Sequence, residues 1–478
     1  MPWTPARWAQ FALAFASASA CAPLAAQTAP LAEAPGVAAP PAGVEAARAI
    51  AAALYEEADL PALSIAVGRD GVVLWSEAFG HADLENGTPA TPLSKFRIGS
   101  VSKPLTATAI GLLVQRGRLD LDAPVQRYVP YFPEKGWPVT TRQAAGHVAG
   151  IRHYRGDEFL SDELFETVRE GVEIFADDSL LFQPGTDYSY SSYGWNLISA
   201  VIEAASDTPF LEFMREDVIR AIGLRHTVAE HMDSIIAYRV RYYDRTEDGR
   251  LINSPDVDNS YKWAGGGYLS TPEDLVRFGR AYLDGDILAP ETVALLWEPQ
   301  TLASGESTGY GIGWGSDDDW DGHRVVGHTG GSVGGTTALN ILPEHDVIVA
   351  AVSNLSDAPG LNDLTLAVAE AMEAGPRDEP PPAGLFAWEA TSGDPDERPI
   401  RGILALNGER AGDAGWLRSG DNRARVAYAA VRDGRLHIIA AGPAGILTLD
   451  LPPGAVGEGT WDGDASITVR ALPVPSRS

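Results

Sequence analysis

Ser100 and Lys103 stand three residues apart, where a strand-like segment gives way to a helix-like run. Residues 96–99 have an extended pattern and residues 104–114 have a helical one. Positions three apart lie on one face of a helix, so the serine hydroxyl and the lysine amine are expected to meet. A serine is a weak nucleophile until a base accepts its proton, and a lysine acts as that base only when burial or another cation lowers its pKa. The pair therefore predicts an acyl-enzyme hydrolase.

Lysine is rare in this chain, which contains only Lys95, Lys103, Lys135 and Lys262 among its 36 basic residues. Arginine cannot lose its proton in a protein, whereas lysine can, so a lysine three residues after a serine favours a chemical role. The alternative is a solvated lysine in the first turn of a helix, and the four-residue pattern alone favours that alternative. Lys262 has two open interpretations, a position near the site or a surface charge.

A second polar cluster lies in the loop at residues 184–194. It contains Tyr188, Tyr190 and Ser192 and leads into a helix-like segment that begins near Trp195. A phenol beside a lysine ammonium can have a lowered pKa and relay a proton. The alternative is that these tyrosines pack and form hydrogen bonds within a turn.

The third cluster is His328-Thr329-Gly330-Gly331, at the end of a strand-like segment. Small residues allow a substrate to lie against the strand edge, and free backbone N–H groups can stabilise an oxyanion. The alternative is a glycine-rich strand end without chemistry. Ser332 completes a G-x-S-x-G pattern, but residues 335–342 have the pattern of another strand, whereas a nucleophile elbow requires a helix. Ser332 is therefore expected to be structural.

The three clusters occur in an order that resembles the serine β-lactamase and penicillin-binding protein superfamily, on its class C side. That family carries S-x-x-K, Y-x-N and a K-T-G or H-T-G triplet in this order. The resemblance spans roughly residues 45–375, and it includes a long run at 257–271 that ends in glycines and Tyr-Leu-Ser-Thr. It implies an α/β fold, with an antiparallel sheet flanked by helices and a helical region beside it.

The resemblance also implies roles for single residues. Ser100 would be the acylated nucleophile, Lys103 its base, and Tyr190 the tyrosine of Y-x-N. Ser192 stands where the family has Asn, which weakens contact with a β-lactam acyl group. The His328-Thr329-Gly330 triplet replaces K-T-G without a permanent cation, which counts against recognition of a β-lactam carboxylate. The oxyanion hole would be the backbone N–H groups of Ser100 and Gly331, and the family chemistry needs no metal or organic cofactor.

Helix and strand patterns assemble one sheet from both ends of the chain. A first hairpin turns at Asp70-Gly71, and strand patterns return only after a long, mostly helical stretch. Helices are predicted over 44–57, 104–117, 160–172, 194–205, 209–222 and 361–374, and strands over 62–67, 72–79, 309–315, 323–328, 336–342 and 347–353.

The domain organisation follows from composition. An apolar, alanine-rich start predicts a signal peptide over 1–26, a Pro/Ala-rich tether over 27–41, the β-lactamase-like serine hydrolase domain over 42–375, a Pro-rich linker over 376–385 and a small β-rich C-terminal domain over 386–478. Cys21 follows Ala-Ser-Ala, so a lipid anchor at Cys21 is the alternative to simple secretion. We expect an exported protein, periplasmic or secreted.

Net charge limits the classes of binding partner, and cysteine content limits the possible disulfide bonds. The chain has 478 residues and a formal net charge of −29, which argues against nucleic acid and against an anionic membrane surface. Cys21 is the only cysteine, so the fold does not depend on an intramolecular disulfide.

The sequence as a whole predicts an exported serine hydrolase that cleaves an amide or ester bond. Its substrate would be a peptide, a peptidoglycan-like amide or a small ester, with β-lactam hydrolysis secondary. One alternative is a promiscuous esterase or β-lactamase on the same residues. Another is a self-assembling scaffold protein, because a member of the family forms filaments, which also makes a homo-oligomer or filament an expectation here.

Overall fold

The computed structural model describes residues 43–318, 322–373, 378–392, 400–419, 422–432, 434–451, 456–461 and 465–471. The predicted signal peptide, the predicted tether and Cys21 lie outside the described residues. The described residues belong to one compact unit. The predicted boundary between the hydrolase region and the C-terminal β-region stays a prediction. No helix in the described ranges has the length and apolar character needed to span a bilayer.

Ten α-helices occur in the described residues. Polar side chains fix several of their starts: Thr140 and Thr167 form capping boxes, and Thr271 accepts the Asp274 N–H ahead of a helix that begins with proline. The helices are α1 (Val44–Glu57), α2 (Ser102–Gln115), α3 (Thr141–Ala145), α4 (Val168–Glu173), α5 (Ser192–Ser206), α6 (Phe210–Phe213), α7 (Trp263–Gly266), α8 (Pro272–Asp284), α9 (Pro290–Trp297) and α10 (Leu361–Glu373).

Strands dominate the two ends of the chain. The strands are β1 (Ala62–Arg69), β2 (Val72–Asp83), β3 (Thr88–Pro89), β4 (Phe96–Arg97), β5 (Val228–Ala229), β6 (Tyr243–Arg245), β7 (Leu251–Asn253), β8 (Tyr268–Ser270), β9 (Gly315–Asp318), β10 (Arg324–Ser332), β11 (Gly335–Leu342), β12 (Val347–Ser353), β13 (Gly384–Ser392), β14 (Ile400–Leu406), β15 (Ala411–Ser419), β16 (Asn422–Arg432), β17 (Arg435–Gly442), β18 (Gly445–Leu451), β19 (Val456–Trp461) and β20 (Ala465–Ala471).

The main sheet has seven strands in the order β3-β2-β1-β12-β11-β10-β9. The first hairpin therefore pairs directly with the last strand before α10, in antiparallel register from Leu63 opposite Ser353 to Arg69 opposite Val347. This arrangement confirms the predicted sheet built from both ends of the chain. β1 and β12 are buried on both faces because helices cover the sheet on each side.

α1 and α10 lie between the main sheet and a second sheet of eight strands, ordered β18-β17-β16-β15-β14-β13-β20-β19. One buried cluster joins Ile50 of α1 and Val368 of α10 to Val349 of β12 and Ile439 of β17. The C-terminal β-region that the sequence predicted is therefore present as a sheet, and its inner face packs on these two helices.

The helix predicted over 209–222 is present as α6 and a π-helical segment, Met214–Arg220, that continues it. Two other element predictions were wrong. Instead of one helix over 160–172, the chain forms a 3-10 turn at Gly156–Leu160 and the short α4. The helix is interrupted because the Phe165 N–H donates to Ser260 Oγ at 2.8 Å rather than to a helical carbonyl. The strand expected at 309–315 is a loop up to β9, in which the Gly311 N–H closes a turn on the carbonyl of Trp314 at 2.8 Å.

Candidate active site

A 3-10 turn, Gly99–Val101, places Ser100 at the entrance of α2. Gly99 has φ +48°, and a Cβ atom at this position would lie 2.5 Å from the carbonyl oxygen of Gly331 on β10. Only glycine tolerates both that conformation and that approach. The turn therefore touches the strand edge, and Ser100 lies beside Gly331.

Lys103 lies one turn further along α2 and is fully buried. Its Nζ atom lies 3.0 Å from Ser100 Oγ, 3.2 Å from Ser192 Oγ and 2.9 Å from the carbonyl oxygen of Gly265. Three acceptors from three elements thus hold the amine against Ser100. The spacing argument placed Ser100 and Lys103 together, and in the structure they are in contact.

Burial lowers the pKa of Lys103 well below 10.5, and the positive charge of Lys262 lowers it further. The neutral amine is therefore much easier to form here than in water. In its neutral form the amine would keep two N–H donors, enough for Ser192 and Gly265, and its lone pair would be left to accept from Ser100.

Tyr190 completes the group around Ser100. Its side chain lines the same cavity as Ser100 and interacts with it, and its ring centroid lies 4.8 Å from Lys103 Nζ. The pKa of Tyr190 is raised by burial, which differs from the lowered pKa that the sequence led us to expect. Tyr190 is therefore a protonated phenol, suited to donate a proton.

The start of α5 is held by polar contacts that the sequence did not reveal. Ser191 Oγ accepts the Gly194 N–H at 3.0 Å and donates to the carbonyl oxygen of Arg152 at 2.7 Å. The N–H groups of Ser191 and Ser192 donate to Nδ1 of His147 and His153, at 3.0 and 3.1 Å. These bonds fix the position from which Ser192 reaches Lys103.

His147 and His153 are acceptors in neutral form. Burial and the charge of Lys103 lower the pKa of His153 to about 4 and the pKa of His147 well below 6.5. The His147 ring packs against the Tyr190 ring in a tilted arrangement, with centroids 4.1 Å apart. Within the described ranges, no cluster of His, Cys, Asp or Glu side chains has an arrangement that would hold a metal ion.

β10 brings the third cluster to the site. His328 Nε2 lies 2.8 Å from the hydroxyl of Tyr310, and burial together with Lys103 lowers the pKa of His328 to about 3. The triplet therefore supplies no cation. Thr329 is exposed, and a Cβ atom on Gly330 would lie 2.1 Å from the carbonyl oxygen of Ile98. Gly331 has open space on its side-chain side, where it faces a cavity.

Two neighbouring cavities meet at Tyr190. The first has a volume of about 410 Å³ and is lined by Ser100, Ser192, Gly331 and Lys262, among others. The second has a volume of about 350 Å³ and is lined by His328 and Thr329, among others. Ser332 lines the first cavity from the β10–β11 hairpin, which is the strand-to-strand turn expected for a structural serine.

Lys262 is the main site residue for which the sequence left two interpretations open. It is buried in the wall of the first cavity, so the interpretation as a surface charge was wrong. Its Nζ atom lies 4.0 Å from the ring centroid of Phe159, 5.1 Å from Tyr261 and 5.4 Å from Tyr154. Burial lowers the pKa of Lys262 to about 7, and the neighbouring Arg97 lowers it as well.

Comparison with known proteins finds a matching family model and related sequences. The beta-lactamase family model matches residues 47–373. The human mitochondrial serine beta-lactamase-like protein LACTB is 31% identical over 433 residues, covering 68% of this chain and 79% of that protein.

Two solved structures share the fold. The octameric penicillin-binding protein homologue from Pyrococcus abyssi superposes with a TM-score of 0.61 at 22% identity, covering 89% of this chain and 99% of that one. A D-stereospecific amidohydrolase from Streptomyces superposes with a TM-score of 0.58 at 24% identity, covering 70% and 99%.

Proposed function

The chain belongs to the beta-lactamase family, and from that premise we propose that it is a serine hydrolase that cleaves amide or ester bonds through an acyl intermediate on Ser100. The observation that carries the proposal is the contact between Lys103 and Ser100 at 3.0 Å, in a setting that lowers the pKa of Lys103. A nucleophile in contact with a deprotonated base is what acyl transfer requires.

In the first step the neutral amine of Lys103 accepts the proton of Ser100 Oγ, and Oγ attacks the carbonyl carbon of the substrate. The carbonyl π electrons move to its oxygen and give a tetrahedral oxyanion. The backbone N–H groups of Ser100 and Gly331 donate to that oxyanion, a type of interaction that stabilises developing charge in the transition state.

In the second step the C–N or C–O bond breaks, and Tyr190 donates its proton to the leaving amine or alkoxide. The Lys103 ammonium then returns a proton to Tyr190, which leaves Lys103 neutral and the acyl ester on Ser100. For hydrolysis a water molecule gives its proton to Lys103 and attacks the ester, and Ser100 regains its hydrogen as it leaves. The raised pKa of Tyr190 supports its role as donor.

The substrate we propose is a peptide, another amide or a small ester rather than a β-lactam in the first place. Ser192 stands in place of the family's Asn, and a neutral His328 stands in place of a cation. Both differences support ranking amides and esters ahead of β-lactams. One structural neighbour is named a D-stereospecific amidohydrolase, which also supports an amide. Esters pass through the same intermediate, so esterase activity is the second candidate, and β-lactam hydrolysis is a secondary activity.

Intact-mass spectrometry with a fluorophosphonate tests the proposal. We expect one adduct on the wild type, one adduct on Ser332→Ala and none on Ser100→Ala. Ser332→Ala is the matched control, because it removes the other serine with a motif match and leaves Ser100 in place. An adduct on Ser100→Ala, or no adduct on the wild type, would contradict the assignment.

A panel of chromogenic substrates then ranks the reactions. It holds a D-amino acid p-nitroanilide, a p-nitrophenyl ester and a chromogenic cephalosporin. We expect turnover of the anilide and the ester, and slower turnover of the cephalosporin. Turnover of the cephalosporin alone would reverse the order of substrates that we propose.

We also propose export and self-association. The apolar start of the chain supports a signal peptide over 1–26, with lipidation of Cys21 as its variant. A structural neighbour described as octameric supports a homo-oligomer. The mass of the protein isolated from its native host tests the first proposal, since it differs among cleaved, lipidated and uncleaved chains. Light scattering after size exclusion tests the second, which a monomer at micromolar concentration would refute.

A further inference from the structure

Lys262 is a buried cation without an anionic partner. Its side chain is almost completely buried, yet it lines the cavity that contains Ser100. In the described part of the chain, its ammonium forms no ion pair and donates no hydrogen bond, and its neighbours are the rings of Phe159, Tyr261 and Tyr154. Buried charges are ordinarily paired, so this ammonium is available to a ligand.

The buried carboxylate whose charge acts on Lys262 is already engaged. Glu230 accepts from Arg97 Nε at 2.7 Å and from Asn259 Nδ2 at 2.7 Å, and its other oxygen accepts from the hydroxyl of Tyr242 at 2.8 Å. The charge of Glu230 is therefore balanced by Arg97. The charge of Lys262 remains as the excess at this end of the cavity.

Two other carboxylates line the same cavity. Asp244 is half-buried and Asp357 is exposed, so both stand at the solvent side, and neither forms an ion pair with Lys262. His328, which occupies the position of the family's cationic triplet residue, is neutral. Lys262 is thus the cation that a bound substrate would meet deep in this cavity.

The direction of the substrate follows from the mechanism. The leaving group departs toward Tyr190, and the second cavity begins beyond Tyr190, along His328 and Thr329. The first cavity contains Ser100 and Gly331 and would therefore hold the acyl part. Lys262 stands on the acyl side, opposite the triplet of β10.

We propose that Lys262 binds a carboxylate on the acyl part of the substrate, so that the preferred substrates are amides or esters whose acyl group carries a negative charge near the scissile carbonyl. The inference rests on the proposed function, because it assigns the acyl side from the reaction at Ser100. A carboxylate that enters from the cavity completes the coordination of the ammonium, and the three aromatic rings keep water from the pair.

Matched anilides test the proposal by turnover. Glutaryl p-nitroanilide carries the carboxylate, and its primary-amide analogue has nearly the same shape without the charge. We expect the wild type to favour the anionic substrate in kcat/KM by about 10- to 100-fold, the range for one charge-assisted hydrogen bond, with most of the difference in KM. In Lys262→Met and in Lys262→Gln this ratio should fall to about 1.

Lys95→Met is the control, since Lys95 is a largely buried lysine that does not line the cavity. It should keep the wild-type ratio. A ratio near 1 in the wild type, or an unchanged ratio in both Lys262 variants, would overturn the proposal. Because each ratio is taken within one protein, a general loss of activity in a variant does not affect the comparison.

A binding experiment separates this inference from the proposed function. Calorimetry on Ser100→Ala measures the affinities of the two anilides without turnover, and the double variant with Lys262→Met repeats them. If Ser100→Ala binds the anionic anilide more tightly and the double variant loses this preference, the carboxylate site is supported, even if fluorophosphonate labelling of the wild type fails. Labelling and turnover without charge preference refute the site and leave the hydrolase standing. Failure of labelling, turnover and charge preference together refutes both.

Discussion

Replacing Lys262 with methionine should stabilise the protein, and the gain should depend on pH. Methionine has a similar length and no charge, so it fills the space between the aromatic rings without a buried cation. The wild-type lysine carries a penalty because burial and Arg97 lower its pKa from 10.5 to about 7. The folded state therefore binds fewer protons than the unfolded state between these two values, and stability rises with pH across that window.

The size of the effect follows from the same values. At 1.36 kcal/mol for each pKa unit, the fall from 10.5 to about 7 corresponds to a penalty of about 5 kcal/mol. The penalty is complete below pH 7 and disappears as the pH passes 10.5. Contacts between the ammonium and the aromatic rings return about 1–2 kcal/mol to the charged form, so we expect a net gain of about 3 kcal/mol at pH 6.

Urea unfolding followed by tryptophan fluorescence at pH 6, 8 and 10 measures the difference. Lys262→Met should exceed the wild type most at pH 6, and the difference should shrink to about 1 kcal/mol at pH 10. Arg118→Met, which removes an exposed cation, should stay within about 0.5 kcal/mol of the wild type at each pH. A difference between Lys262→Met and the wild type that does not change with pH, or a less stable variant at pH 6, would refute the reasoning.

Three further perturbations have defined outcomes. Lys103→Ala should lower kcat/KM by about 10²- to 10⁴-fold, and added propylamine, but not propanol, should restore part of the lost activity. Equal rescue by both compounds would show that Lys103 only fills space. Glu230→Gln should lower the free energy of unfolding in urea by about 3–5 kcal/mol because it leaves the Arg97 charge buried and unpaired. A change below about 1 kcal/mol would contradict the role of Glu230 as the charge partner of Arg97. Gly330→Ala would place a Cβ atom 2.1 Å from the carbonyl oxygen of Ile98. Fluorophosphonate labelling should therefore be lost, while the circular dichroism spectrum is retained. Labelling at the wild-type rate would contradict this expectation.

The parts of the fold that the sequence predicted well are those set by local pattern. α1 begins and ends at the predicted residues, Val44 and Glu57, and the first hairpin turns at the predicted Asp70-Gly71. The failures at 160–172 and 309–315 have the opposite cause. There the backbone bonds to distant or irregular partners, such as Ser260 Oγ, which a local period cannot reveal.

The same distinction applies to the candidate site. The contact between Ser100 and Lys103 follows from one turn of helix, so spacing was sufficient to predict it. His147 and His153 reach the site from one segment and Tyr310 from another, each far in the chain from Ser100. Single aromatic or imidazole side chains carry no spacing signal. The rarity of lysine was the available signal for Lys262, yet it could not separate a buried residue from an exposed one.

Two buried lysines stand near the reacting serine: Lys103 is in contact with Ser100, and Lys262 lies in the wall of the first cavity. The charge of Lys262 makes Lys103 harder to protonate and contributes to the lowered pKa of Lys103. If a substrate carboxylate pairs with Lys262, it cancels part of that repulsion and raises the pKa of Lys103. An anionic substrate would then bind more tightly while it makes the base harder to deprotonate. The advantage of the anionic substrate should therefore lie in KM, and its kcat at neutral pH should not exceed that of the neutral analogue.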